Sequence, residues 1–201
     1  PTGIAAINCG GATIHSTFQI PREVYNPSKS YNVYMTETFM SLKNLELLII
    51  DEISMTRIDV LFCVHEFLQD IKGNKLPFGG VQLLLIGDLF QLPPVVTSSD
   101  KAALEDIYPK CGVYFLDALK LSGIECYIVE LDEVYRQKDI TFVNILNNIR
   151  NGNLTDEDQQ ILNNRVRREW DNSYTILTPY KDMPFKGAKY INDKELQKLD
   201  S

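Results

Sequence analysis

No stretch of 18 or more apolar residues occurs in the 201-residue chain, which excludes a membrane-spanning helix within it. No basic segment followed by an apolar one opens the sequence, so the first residues do not read as a secretory leader. Position 1 is Pro rather than Met, from which we expect a piece of a longer chain. Histidine is scarce, with only His15 and His65, and the four cysteines stand 54, 48 and 15 residues apart without a Cys-x-x-Cys pair. Zinc-ligand spacing is therefore absent, and neither a structural metal nor a disulfide framework is expected. Scattered thiols point to a reducing compartment, cytoplasmic in a bacterium or nuclear or mitochondrial in a eukaryote. An excess of positive charge is also missing: 20 Lys and Arg face 27 Asp and Glu, a net charge of −7.

What remains is ordinary globular material. Apolar residues make up 44% and charged residues 23%, too apolar for disorder. The acidity is concentrated: residues 51–160 hold nine basic against eighteen acidic side chains, while residues 161–201 hold eight against six. A wholesale basic nucleic-acid surface is thereby excluded. A narrow channel is not, because a few cations, backbone amides and aromatics suffice to hold a single strand.

The periodicity alternates between strand and helix. Leu45-Glu46-Leu47-Leu48-Ile49-Ile50 is a short apolar run ending in Asp51-Glu52, and Val81-Gln82-Leu83-Leu84-Leu85-Ile86 is a second, ending in Gly87-Asp88. Both fit buried parallel strands. Between them Ile58, Leu61, Phe62, His65, Leu68 and Ile71 recur at helical spacing until Gly73-Asn74. Residues 125–131 resemble a third strand, and residues 139–150 a helix that Asn151-Gly152 closes. Thr155 with Asp158 predicts a capped helix reaching about Arg165. A strand is expected over 174–178 and a last helix over 192–199. Residues 21–44, with Tyr25, Tyr31, Tyr34 and Phe39, read as an insertion, and residues 91–111 as loop-rich. Together these predict an α/β fold with a parallel sheet.

Two segments carry chemistry. In open α/β sheets ligands sit beyond the carboxyl ends of strands. An apolar strand delivering Asp51-Glu52 fits a site where Asp holds Mg²⁺ and Glu polarises water. It equally fits a strand followed by an acidic first helical turn. Gly87-Asp88-Leu89-Phe90-Gln91-Leu92-Pro93-Pro94 offers a neutral amide, Gln91, to a γ-phosphate, or is simply a tight turn with a stiff exit.

Taken together, Asp51-Glu52-Ile53-Ser54-Met55 and, about 35 residues later, Gly87-Asp88-Leu89-Phe90-Gln91-Leu92-Pro93-Pro94 resemble motifs II and III of superfamily 1 DNA helicases. The likeness is to the petite-integration-frequency (PIF-type) and RecD-like branch. Thr2-Gly3-Ile4-Ala5-Ala6 with Gly10-Gly11-Ala12-Thr13-Ile14-His15-Ser16 resembles motif Ia. Tyr135-Arg136-Gln137-Lys138-Asp139, with Phe142, Leu146, Asn147, Ile149-Arg150 and Gly152, resembles motif IV and its helix. Four blocks stand in family order over residues 2 to about 155.

The resemblance implies a RecA-like P-loop NTPase motor domain acting on ATP, Mg²⁺ and single-stranded DNA, with translocation 5′ to 3′. In that case Asp51 anchors Mg²⁺, Glu52 polarises the attacking water, Gln91 senses the γ-phosphate and Arg136 reaches it. Thr13, His15 and Ser16 would touch the sugar-phosphate backbone. A satisfied structural role for His15 and an ordinary surface role for Arg136 stay open, and Phe18 either faces a base or packs. His65 reads as structural. The implied division is a partial first motor domain over 1–172, with an insertion subdomain at about 21–44, and the start of a second over 173–201. The family's glycine-rich phosphate loop ending Gly-Lys-Ser/Thr is absent from this sequence, as are its last motifs. Two other readings compete: a degenerate, non-hydrolysing nucleic-acid-binding module, and an NTPase switch that does not act on nucleic acid.

Overall fold

The computed structural model describes Ala6 and residues 10–31 and 37–165. The strand and helix expected over 174–178 and 192–199 lie outside the described residues. Two compact units divide the chain, Pro1–Leu131 and Asp132–Ser201.

The first unit is α/β with a parallel sheet. In chain order it contains a one-turn helix α1 (Ile14–Thr17), α2 (Glu37–Lys43), strand β1 (Leu47–Ile50), a 3₁₀ turn (Ile53–Met55) and α3 (Ile58–Lys72). A second 3₁₀ turn (Pro77–Gly80), strand β2 (Gln82–Leu85), α4 (Ser98–Ile107) and α5 (Phe115–Ser122) follow. The register pairs Leu47 with Gln82 and Ile50 with Leu85, so both strands end at the same sheet edge. β1, α3 and β2 form the crossover unit that a parallel pair requires.

The expected helical face of α3 is the heart of the core: Ile58, Leu61 and Leu68 are completely buried, along with Val64. Burying each such side chain stabilises the fold by roughly 1.5–3 kcal/mol. Gly73 at φ 64° ends α3, because only a residue tolerant of the left-handed region closes a helix this way cheaply. His65 is indeed structural: it is buried, and its Nδ1 accepts the Phe78 amide at 3.0 Å. Burial, aided by the Lys75 charge, holds its imidazole below the ordinary range.

Several expectations need correcting. The strands bury one face, not two: Ile50 is buried, whereas Leu47, Ile49, Leu84 and Ile86 are each more than two-fifths exposed. The other face, with Leu48, Ile50, Leu83 and Leu85, meets the core. Residues 125–131 form no strand, and Tyr127, Ile128, Val129 and Leu131 are almost fully exposed. A strand exists only through its ladder partner, and β-propensity alone cannot supply one. The stretch after Pro93-Pro94 is not simply loop, since α4 occupies it. A reciprocal capping box, Thr97 with Asp100, starts that helix. Within residues 21–31, Val24 joins the main core and Tyr25 stacks on Tyr31 with ring centroids 4.9 Å apart.

The second unit contains α6 (Ile140–Arg150) and α7 (Asp156–Asn164) among its described residues. Asp139 caps α6 through the Phe142 amide, and the predicted Thr155–Asp158 capping box opens α7. Asn148 on α6 donates to Asp158 at 2.8 Å and so ties the two helices together.

Candidate functional site

The parallel register brings the two chemistry-bearing segments to one edge. Beyond β1, the Ile53 amide donates to the Ile86 carbonyl at 2.9 Å, and the Ile86 amide donates to Ile50 at 2.9 Å. The segments bearing Asp51-Glu52 and Gly87-Asp88 are thus stitched together just past the carboxyl ends of the strands, where α/β sheets bind ligands.

Between those two bonds the backbone turns sharply. Glu52 takes φ 55° and ψ 40°, a left-handed conformation that costs a residue with a β-carbon about 1–2 kcal/mol. The Asp51 carboxylate supports it by accepting the Glu52 amide at 2.9 Å. Both acids are half-buried. The pair provides hard oxygen donors at a sheet edge, the donor set Mg²⁺ takes together with substrate phosphates and water. Just beyond lie Ser54 and Thr56, whose buried hydroxyls have no hydrogen-bond partner among the described residues.

Gln91 is exposed on the loop beyond β2. Its side-chain amide donates to Asp88 at 3.2 Å, its backbone amide donates to the Asp88 carbonyl at 3.1 Å, and the Phe90 amide donates to the Asp88 carboxylate at 3.0 Å. Asp88 therefore shapes the loop that carries Gln91, a role the sequence reading did not assign. An Asp two or three residues before the amides it accepts is the signal that could have found it.

The motif Ia segment is a separate element of the same unit. Thr13 caps α1 by accepting the Ser16 amide at 3.3 Å, and His15 and Ser16 are exposed. Partial burial and the Arg57 cation lower the His15 pKa against a weaker opposing pull from Asp59, so its ring is neutral at pH 7. Of the two roles open to Phe18 in the sequence, the structure shows packing: it is 2% exposed and meets Phe67 edge-on with ring centroids 5.6 Å apart.

Arg57 follows the first 3₁₀ turn and opens α3. Its guanidinium donates to both carboxylate oxygens of fully buried Asp59, at 2.9 and 2.8 Å, and reaches Asp100 at 3.3 Å. Asp59 also accepts the Tyr25 amide at 3.0 Å. Arg136 lies in the second unit, on exposed chain before α6. The site residues of the first unit are gathered on one scaffold, and Arg136 belongs to the other.

The family model described as PIF1-like helicase matches residues 1–160. The chain is 39% identical over 165 residues to the ATP-dependent DNA helicase PIF1 of Candida albicans, covering 78% of this chain and 17% of that protein. It also resembles the crystal structure of Bacteroides Pif1 bound to ssDNA, with a TM-score of 0.83 and 38% identity over 100% of this chain and 45% of that one. A Bacteroides Pif1 helicase in complex with ADP-AlF3 and ssDNA gives a TM-score of 0.83 and 39% identity, over 98% of this chain and 46% of that one. The chain thus spans less than a fifth of the Candida helicase and under half of each Bacteroides chain.

Proposed function

This chain belongs to the PIF1-like helicase family, and from that premise we propose that it is part of an ATP-dependent DNA helicase that moves along single-stranded DNA, 5′ to 3′. The observation that carries the reading is the stitched edge beyond β1 and β2, where Asp51-Glu52 and the Gln91 loop meet on one parallel pair. On this reading residues 1–172 belong to the first motor domain and 173–201 open the second. The exposed sheet face and the apolar stretch 125–131, unpaired among the described residues, support a further element from elsewhere in the protein packing there.

Asp51 would hold Mg²⁺, which when bound neutralises charge on the nucleotide phosphates. Glu52, fixed by its strained backbone, accepts a hydrogen bond from the attacking water and polarises it. Gln91, oriented by Asp88, reads the γ-phosphate position without adding charge. Arg136 stabilises charge on the transferring phosphoryl group, which guanidinium fingers do by about 10³–10⁵ in rate. Thr13, His15 and Ser16 offer hydroxyl and imidazole groups to the strand's phosphates, with no sequence readout.

A phosphate-release assay on the full-length protein, with and without single-stranded DNA, tests this. Glu52→Gln keeps size and hydrogen bonding but removes the carboxylate. We expect it to retain nucleotide and strand binding and to lose DNA-stimulated turnover. Residues 1–201 alone should not hydrolyse ATP. Robust turnover by either would show the catalytic centre to lie elsewhere.

A further inference from the structure

Arg57 stands where an arginine does α3 little good. It occupies the N-cap, where Ser, Thr, Asp or Asn is preferred, and its side chain makes no capping bond. Its positive charge also faces the positive end of the helix dipole. Something other than helix initiation accounts for its position, and its contacts show what.

Two arms of the guanidinium clamp Asp59, at 2.9 and 2.8 Å. Asp59 is wholly buried and also accepts the Tyr25 amide at 3.0 Å. Tyr25 is fixed twice more, donating its hydroxyl to Glu66 at 2.8 Å and accepting the Tyr108 hydroxyl at its carbonyl at 3.0 Å. This secures the chain that follows α1, the element carrying His15 and Ser16. His15 itself feels the charges of both Arg57 and Asp59. The remaining arm reaches Asp100 at 3.3 Å. Asp100 accepts the Thr97 amide at 3.0 Å and its hydroxyl at 2.8 Å, and so holds the far end of the loop that begins at Gln91. Pro93 and Pro94 stiffen that loop, so a displacement at Thr97 passes along it instead of being absorbed.

One side chain thus joins three segments: the chain after α1, the start of α3 five residues beyond Glu52, and the loop from Gln91. Resting on the helicase reading above, we propose that Arg57 is a positioning residue coupling strand contact at α1 to ATP turnover at the Glu52 and Gln91 edge, with Asp59 and Asp100 as its two anchors. Its planar fork matters, since a lysine carries the charge but cannot hold both carboxylate oxygens and a second acid together.

The test compares ATP turnover in the full-length protein with and without saturating oligo-dT, alongside thermal unfolding. Asp100→Asn is the informative variant. Its neutral amide still accepts from Thr97 and keeps α4 capped, but it loses the negative charge that attracts Arg57. DNA-free turnover and the KM for ATP should match the parent, while the stimulation by DNA falls about fivefold or more. Arg57→Lys should lose stimulation likewise, and the double variant should be no worse than the worse single one, because both break one link. Parent-level stimulation in Asp100→Asn, or an equal fall with and without DNA, overturns the proposal. A parent protein without any DNA-stimulated hydrolysis would instead overturn the helicase reading itself.

Discussion

Gly87 presses its bare α-carbon against Ile53: a β-carbon there would lie 2.9 Å from the Ile53 Cγ2 and 3.0 Å from the Ser54 amide nitrogen. The two tips that carry Asp51-Glu52 and Gln91 approach this closely only because position 87 has no side chain. Gly87→Ala should push them apart, with a stability loss of about 1–3 kcal/mol from overpacking. Misplacement of about 1 Å in a catalytic constellation costs about 10²-fold in rate. We therefore expect turnover of the full-length protein to fall far more than its folded fraction, read by phosphate release against thermal unfolding. Turnover falling only in step with the folded fraction would assign Gly87 to packing alone.

Gly79 is a matter of stability rather than catalysis. A β-carbon there would meet the Leu68 carbonyl oxygen at 2.4 Å and its carbon at 2.8 Å, and the backbone sits at φ 65°. Helix backbone cannot yield as a side-chain tip can. Gly79→Ala should cost about 3 kcal/mol or more, combining overpacking with left-handed strain. Urea unfolding at constant slope measures it.

Acid should loosen the fold through His65. Its folded pKa is depressed by burial and by Lys75, and its Nδ1 must stay unprotonated to accept the Phe78 amide. The unfolded chain binds that proton first, near the ordinary histidine value of about 6.5. The stabilisation from neutral His65 is therefore complete above that pH and is lost progressively as pH falls through the folded value. His65→Asn, which offers an oxygen in place of Nδ1, should flatten the decline measured by unfolding below pH 6.5. An unchanged decline would place the sensitive group elsewhere.

His15 should report on the strand. With its ring neutral at pH 7, it contributes a hydrogen bond rather than a charge, so His15→Ala should weaken single-strand affinity by about 1 kcal/mol. Nucleotide affinity should be unaltered. Acidification through the depressed pKa should tighten strand binding in the parent and not in the variant. Equal affinity for both across a salt and pH titration would remove His15 from the interface.

Much of this was legible in the residues themselves. The helical spacing from Ile58 to Ile71 became the buried face of α3, and Gly73, Asp139 and the Thr155–Asp158 box set helix ends where expected. These are local determinations: capping and amphipathicity act within a few residues, so the sequence states them directly. The motif blocks likewise pointed to the family, because their residue types and order need no coordinates. Tertiary structure decided what depends on distant partners. Phe18 was open in sequence and became core on meeting Phe67, 49 positions away. Residues 125–131 had strand composition and found no ladder partner among the described residues. Glu52 adopts a left-handed backbone that nothing in its side chain foretells, because the bond from Ile53 to Ile86 demands the turn. The linkage of Tyr25, Arg57, Asp59 and Asp100 spans 75 positions and left no local signature. Local chemistry is written in order along the chain, whereas burial and pairing are settled only when folding brings remote segments within hydrogen-bond reach.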